Sequence, residues 1–378
     1  MFNERHATTI PPEDVAELRA ATAGIFYIAA TAMDDPEPGH VRFRGYFLED
    51  SATGFEKIYA AFTAKGYTPF LRPDHVLDDN RHVTLQAAPF LFDDKPSNWR
   101  TNLYLFLGTI LTTLLVGYTI WLGEQSNPTW VWGEVWRGWP FSLSILLILG
   151  AHELGHYFAA RYHGVPVSLP YFIPFPSIIG TMGAVIVQRA PAKNKRALFD
   201  VGAAGPLAGL VFAIPIVLIG LATSQVAPIP PIGMREGNSV IYALAKLLVF
   251  GELLPAGGRD VFINQLATAG WAGLLITGLN LLPVGQLDGG HITYVLFGEK
   301  ANYFYWPALI GLAMLAFLIP DAAITWAIWI GLLFFFGRRH AVPLDTVTPL
   351  DPKRRALAIF TFVMFFLVFV PAPITGYG

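Results

Sequence analysis

Seven apolar runs constrain this chain more than any other feature. A bilayer core takes roughly 20 apolar residues of helix, and runs suited to that task lie at 103–122, 141–161, 198–223, 262–282, 303–319, 322–336 and 356–370. Backbone inside a bilayer must satisfy its own polar groups, so these runs are predicted to be helices. The stretch 170–188 is also apolar, but Pro170, Pro174, Pro176, Gly180 and Gly183 interrupt it. Proline removes a donor and clashes with the preceding turn, so no regular spanning helix fits there. Irregular backbone at membrane depth survives only against protein or a wet cavity. A re-entrant, β-like loop or hairpin beside a site is therefore expected. The predicted fold is a mainly α-helical polytopic membrane protein of about seven spans, preceded by a small α+β soluble domain.

Composition divides the chain in the same way. Only 14% of its 378 residues are charged, against about 25% in an ordinary soluble domain. Residues 1–98 hold 15 acidic and 9 basic side chains, net −6, and the remainder holds 12 and 16, net +4. Residues 1–98 are expected to form the soluble domain and 99–378 the membrane domain. Within the first, 25–33, 41–48, 67–71 and 82–87 read as strands. Residues 53–65 read as a helix with Phe55, Ile58, Tyr59 and Phe62 on one face. His40, His75 and His82 are scattered among polar residues and read as surface histidines.

Several classes are excluded or oriented by charge and residue usage. A net charge of −2 gives no basis for nucleic-acid binding, and the lack of cysteine excludes disulfides, thiolate metal sites and cysteine nucleophiles. If the spans alternate, Lys95, Arg100, Arg161, Arg189, Lys193, Lys195, Arg196, Lys300, Arg338, Arg339, Lys353, Arg354 and Arg355 fall on one side. Arg137, Arg235, Lys246 and Arg259 fall on the other. The positive-inside rule then puts the N-terminal domain in the cytoplasm. The first residues show neither a basic segment followed by an apolar one nor the acid-poor character of a transit peptide. The expected location is a bacterial inner membrane.

The chemistry-bearing group lies inside the second run, at His152-Glu153-Leu154-Gly155-His156. Histidines at i and i+4 share one helical face about 6 Å apart, close enough to hold one Zn²⁺. Glu153 is one position along, where it reaches a water polarised by the metal rather than the metal itself, and can act as general base. This is the HExxH pattern of zinc metalloproteases. Ionisable groups in an apolar span are costly, which argues for function rather than chance.

A catalytic zinc needs a third protein ligand. Asp200, Asp288, His163, His291 and Asp321 are the ionisable residues in or beside the other apolar runs. Asp288 falls where the fourth run ends, on the side where the second also ends, so the two sets share a depth. His291 is the next candidate. Asp200 reads more simply as a helix N-cap, His163 lies past a helix end, and Asp321 falls at the opposite surface.

HExxH in one span and Asn280, Pro283, Leu287, Asp288 and Gly289 in a later one resemble the site-2 protease family of intramembrane metalloproteases. The similarity runs over about 141–298. Gly180-Thr-Met-Gly183-Ala and Ala204-Gly-Pro-Leu-Ala-Gly209 also resemble family segments. The wording around Gly270-Trp-Ala-Gly and 281–290 looks most like the branch containing the plastid EGY-type proteins and their bacterial relatives. The resemblance implies zinc on His152, His156 and Asp288, Glu153 as general base, and Asn280 holding substrate backbone or oxyanion.

The expected reaction is hydrolysis of a peptide bond in or near a transmembrane helix of a membrane protein substrate. Strand-like pieces of 170–188 would pair with the extended substrate, and Gly180 and Gly183 would permit close backbone approach. The same loop read blandly is a plug shielding the metal. Small residues at 202–209 suit tight helix packing or a water path. The rival functions are a proteolytically inactive membrane metal-binding protein or transporter, and a peptidase open to soluble substrates. Polar residues clustered at one level, rather than paired across several broken helices, speak against transport.

Overall fold

A computed structural model describes residues 9–74, 82–92 and 98–377; His75 and Lys95 lie outside the described residues. The chain opens with α1 (Pro12–Ala21), β1 (Phe26–Met33), β2 (Val41–Phe47), α2 (Ser51–Ala64), β3 (Thr68–Pro73) and β4 (Val83–Ala88). The four strands form one antiparallel sheet in the order β1-β2-β4-β3. Period-2 alternation puts Val41, Phe43, Leu71 and Leu85 on the inner face, and α2 covers them with Phe55, Ile58 and Phe62, as its helical spacing predicts. Asp50 starts α2 by accepting from the Thr53 N–H. Helix α1 is unanticipated from sequence: of its residues only Leu18 is buried, so it carries almost no apolar stripe. His40 and His82 are half-buried rather than fully exposed.

Among the described residues four helical stretches are long and apolar enough to cross a membrane. They are α3 (Trp99–Gly123), Trp132–Tyr162, which contains α4 (Trp139–Tyr162), α5 (Lys195–Ala222) and Asp288–Leu318. The last is not one smooth rod. It comprises α8 (Asp288–Phe297), a 3-10 stretch and α9 (Tyr305–Leu318), with Gly298 at φ 61°, ψ −137° between them. Helices α6 (Val240–Phe250), α7 (Gln265–Asn280), α10 (Ala323–Phe336) and α11 (Pro352–Val368) are shorter. Between α4 and α5 lies the antiparallel hairpin β5 (Tyr171–Pro174) and β6 (Thr181–Val185). The proline-rich apolar stretch is thus β structure, as its helix breakers require.

Bare backbone lets the central helices approach closely. A Cβ at Gly155 of α4 would come within 2.6 Å of the Ala204 carbonyl oxygen of α5, and one at Gly270 of α7 within 2.6 Å of Val217 N. Lipid gives apolar helices no hydrophobic reason to associate, so close packing of small residues supplies the contact. The far end of the bundle carries two small antiparallel pairs: β7 (Gln225–Pro228) with β9 (Arg259–Phe262), and β8 (Gly233–Glu236) with β10 (Ile374–Tyr377). There the buried Lys246 of α6 reaches Glu236 Oε1 at 3.0 Å and Asp260 Oδ1 at 3.5 Å. An unpaired buried ammonium would be strongly destabilising, so this cluster holds α6 to the strands.

One strap fastens the sheet to the bundle. Between α10 and α11, Leu344 N donates to Ala192 O and Asp345 N to Lys193 O, each at 2.9 Å. From the other side Leu71 N of β3 donates to Leu344 O at 2.9 Å, and Thr346 N to Leu71 O at 3.1 Å. Leu344, 1% exposed, is part of the sheet's own apolar core. Asp345 is wholly buried; its Oδ1 accepts from the Val347 and Thr348 N–H groups, and burial pushes its carboxyl above the ordinary value. We predict that Leu344→Ala costs about 2–4 kcal/mol in the sheet layer. Hydrogen–deuterium exchange should accelerate in β3 while α4 and α5 remain protected.

Candidate metal centre

The polar centre starts from α4, whose apolar length buries His152, Glu153 and His156 at 3%, 4% and 6% exposure. A spacing of four residues, about one turn, brings both imidazoles into line on the same face. The partner segment comes from the other end of the sequence. Helix α7 ends at Asn280, the chain turns through Gly285 at φ 61°, and α8 starts at Asp288. A side chain at Gly289 would collide with the Leu281 carbonyl, and one at Gly290 with the Gly285 carbonyl. The two glycines after Asp288 therefore let α8 fold tightly against its own approach.

Three side chains converge through two imidazole nitrogens and the two oxygens of one carboxylate. His152 Nε2 lies 3.2 Å from Asp288 Oδ2, His156 Nε2 lies 3.3 Å from Asp288 Oδ1, and the two Nε2 atoms are 3.1 Å apart. Among the described residues these three form a group of the kind that can hold a metal ion. His156 Nδ1 lies 2.7 Å from Val201 O; that carbonyl can only accept, so Nδ1 carries the proton and Nε2 points a lone pair inward. Ligands at 2.0–2.1 Å in a tetrahedron stand about 3.3 Å from one another. The separations of 3.1–3.3 Å match that figure, and two nitrogens with a carboxylate are donors zinc accepts.

A second fit is a cradle of bare backbone on α5. A Cβ at Gly205 would overlap the His156 ring, and one at Gly209 would lie 3.3 Å from His152 Nδ1. The small-residue run at 202–209 thus packs helices at Ala204 and gives the imidazoles room at Gly205 and Gly209. Val201 O and Gly205 are the contributors that sequence reasoning missed. The run itself was visible, but which small residue faces an imidazole depends on how α5 is rotated against α4.

A cavity of about 620 Å³ opens on the group, lined by His152, Glu153, His156, Asn280, Asp288 and His291 together with 184–191 and Ala341 and Val342. Glu153 meets the Ile186 backbone N–H. Asn280 Nδ2 stands 3.4 Å from His152 Nε2. His291 also faces the cavity but is outside the converging trio, and its Nδ1 is buried without a partner among the described residues. His163 and Asp200 are held away from the trio, paired with each other at 2.7 Å, and Asp200 also binds Arg354. Asp200 is not the N-cap of α5: Asn194 caps it, accepting from Ala197 N, because the helix begins at Lys195 in the polar interfacial segment. Asp321 accepts from Gly376 N at the far end. Gly180 and Gly183 take left-handed φ of 78° and 104° in the hairpin, but neither lines the cavity; Gly180 closes against α3, where a Cβ would come 2.8 Å from Thr112 O.

Residues 140–318, which carry the trio, Glu153, Asn280 and His291, match peptidase family M50. That segment is a peptidase M50 domain. It is 36% identical over 382 residues to the probable zinc metalloprotease EGY2, chloroplastic, of Arabidopsis thaliana, covering 98% of this chain and 66% of that protein. The probable zinc metalloprotease EGY1, chloroplastic, of Oryza sativa subsp. japonica is 31% identical over 61% of this chain and 40% of its own length. The probable zinc metallopeptidase EGY3, chloroplastic, of Arabidopsis thaliana is 28% identical over 61% of this chain and 42% of its own. The chain thus spans from two fifths to 66% of these relatives. No solved structure matches it.

Two predictions concern metal loading. Gly205→Ala should displace the His156 ring and lower zinc content of the purified protein severalfold, whereas Ala208→Gly should leave it unchanged. Asp288→Asn should weaken zinc retention against a chelator by at least tenfold, and His291→Ala should not. Equal retention in all four proteins would contradict the ligand geometry.

Proposed function

We propose that this chain is an intramembrane zinc metalloprotease that hydrolyses peptide bonds within or near transmembrane helices of membrane protein substrates. The observation carrying this reading is the convergence of His152, His156 and Asp288 beside Glu153, within a bundle of apolar helices. The peptidase M50 domain and the relatives' names as zinc metalloproteases support it. A proteolytically inactive metal protein would not need Glu153 kept against the open side of the trio.

Zinc, when bound, supplies a Lewis acid that polarises the scissile carbonyl and acidifies a water. The Glu153 carboxylate, enclosed beside the trio, takes a proton and later returns it to the leaving amine. The Asn280 amide, at the cavity wall, donates toward the substrate carbonyl.

The substrate must be extended before its amides are accessible, and the edge of 184–188 suits that need. Val187 N donates to Ser168 Oγ, Ser168 N donates to Val187 O, and Arg189 N donates to Pro166 O. Successive strand residues face opposite ways, so the Ile186 and Gln188 amides turn toward the cavity. An extended substrate would add here as a further strand. This puts substrate contact at 186–188 and leaves Gly180 and Gly183 as turn formers supporting the hairpin.

We further propose seven passes, with α7 and α8 as one pass broken at Asn280–Asp288 and the hairpin as the re-entrant element. Asp288 meets α4 ten residues from its end, while Tyr294 in the far part of α8 and Glu299 in the 3-10 stretch after it lie toward Arg72 of the sheet layer. Arg161, Lys193, Arg196 and Arg354 cluster on the sheet side of the bundle. By the positive-inside rule residues 1–98 form a cytoplasmic regulatory domain in a bacterial inner membrane; relatives named chloroplastic would place the same face in the stroma. The strap supplies the regulatory link, since Ala341 and Val342 line the cavity and Leu344, two residues past Val342, is in the sheet core.

The decisive experiment is cleavage of a single-span model substrate by detergent-purified protein. Glu153→Gln should retain zinc and lose at least a hundredfold in rate; equal rates in both would sink the proposal. Gln188→Pro should retain zinc and cut cleavage at least tenfold, because it removes an amide on the open edge and leaves the Ile186 contact to Glu153 in place. Unchanged cleavage would remove strand pairing.

A further inference from the structure

We propose that the junction of α2, α4 and α5 is a binding site for an anionic phospholipid, with its phosphate between the layers and one acyl chain along α3 and α4. The first observation is a cavity of about 1130 Å³ between the sheet layer and the bundle. Arg161, Lys193, Arg196, Arg354 and His163 line it, and Glu56 is the acidic residue among its walls. Arg354 and His163 are committed to Asp200, and Arg354 also to Asp351. Arg161, Lys193 and Arg196 have no carboxylate partner within ion-pair distance among the described residues. Lys193 Nζ stands 5.2 Å over the Tyr59 ring, and Arg196 Nε donates to Pro349 O. Three cations facing a shared space, none of them ion-paired among the described residues and with Glu56 the one carboxylate on its walls, suit an anion, and phosphate oxygens are the acceptors that arginine and lysine match best.

The second observation says which phosphate. Helix α4 carries Leu143, Leu147, Leu154 and Phe158 exposed at 58%, 43%, 41% and 64%. At 3.6 residues per turn Leu143, Leu147, Gly150, Leu154 and Phe158 form one stripe, and Arg161 lies directly above Leu143 and Leu154. Leu143, Leu147, Gly150 and Leu154 of that stripe wall an apolar groove of about 780 Å³ against α3, which Trp99 and Phe106 of α3 and Trp139 of α4 also line. From Leu154 to Arg161 is two turns, about 10 Å, the spacing at which a phosphate sits above the start of its acyl chains. A soluble phosphate ester would use the cations and leave the groove idle. A diacyl phospholipid with net negative charge uses both, and phosphatidylglycerol, whose head group adds no amine to offset the phosphate, is such a lipid.

The test is native mass spectrometry of the full chain released from nanodiscs of phosphatidylcholine and phosphatidylglycerol with matched chains. Wild type should retain phosphatidylglycerol preferentially, and Arg161→Gln/Lys193→Gln should lose that preference by about tenfold or more, with zinc content unchanged. Should the double variant fail to fold, Arg161→Lys against Arg161→Gln makes the same comparison: the charge-keeping change preserves the preference and the neutral one reduces it. Phosphatidylglycerol with brominated chains should quench wild-type tryptophan fluorescence more than Trp99→Phe/Trp139→Phe. Equal retention of the two lipids by wild type would overturn the site, as would an undiminished preference in the folded neutral variants. Displacement of the lipid by glycerol 3-phosphate would overturn its assignment to a lipid, because the groove would then contribute nothing.

Discussion

Three lone-pair donors from distant parts of the chain are held within 3.1–3.3 Å of one another in an apolar interior. Two uncharged imidazoles and a carboxylate at that separation repel unless a cation or proton lies between them. Much of the surrounding architecture is arranged around this crowding. Gly205 and Gly209 clear space for the rings, and Val201 O fixes the tautomer of His156. Gly289 and Gly290 fold α8 back so that Asp288 arrives at the depth of His152. Each of these contributors is backbone, which orients a ligand without placing another polar side chain in the membrane.

The cavity beside the trio is built from different materials. One wall is helix, from α4 and the α7–α8 turn, and another is extended chain at 184–189. Helices satisfy their own amides, whereas an extended edge offers amides to another chain. Placing such an edge beside Glu153 gives the bundle a surface on which a peptide can be held extended. The strap adds a wall fastened to the sheet layer, so the outer layer and the cavity share one covalent segment, with only two residues between Val342 and Asp345.

Much of this was legible beforehand for identifiable reasons. The strands β1 to β4 and helix α2 follow from period-2 and period-3.6 patterns that one-sided burial imposes. The hairpin follows from prolines that no spanning helix tolerates. His152, Glu153 and His156 are close in sequence, so their geometry is nearly local. Helices α1, α6 and α8 escaped because α1 lacks an apolar face, α6 is only 11 residues long, and α8 begins in a glycine-rich turn. The pairing of β8 with β10 joins segments about 140 residues apart, with no local pattern to announce it.

The sequence by itself determined that this chain carries membrane-length apolar helices, a sheet-bearing N-terminal layer, and a histidine–glutamate–histidine group on one helical face. These depend on periodicity, length and composition, which are local quantities. Only the tertiary structure decided that Asp288 completes the trio and His291 does not, that Asn194 rather than Asp200 caps α5, and that Leu344 belongs to the core of the sheet. Those outcomes depend on the rotation and depth of one element against another, which close packing of glycine backbone fixes and no single segment encodes.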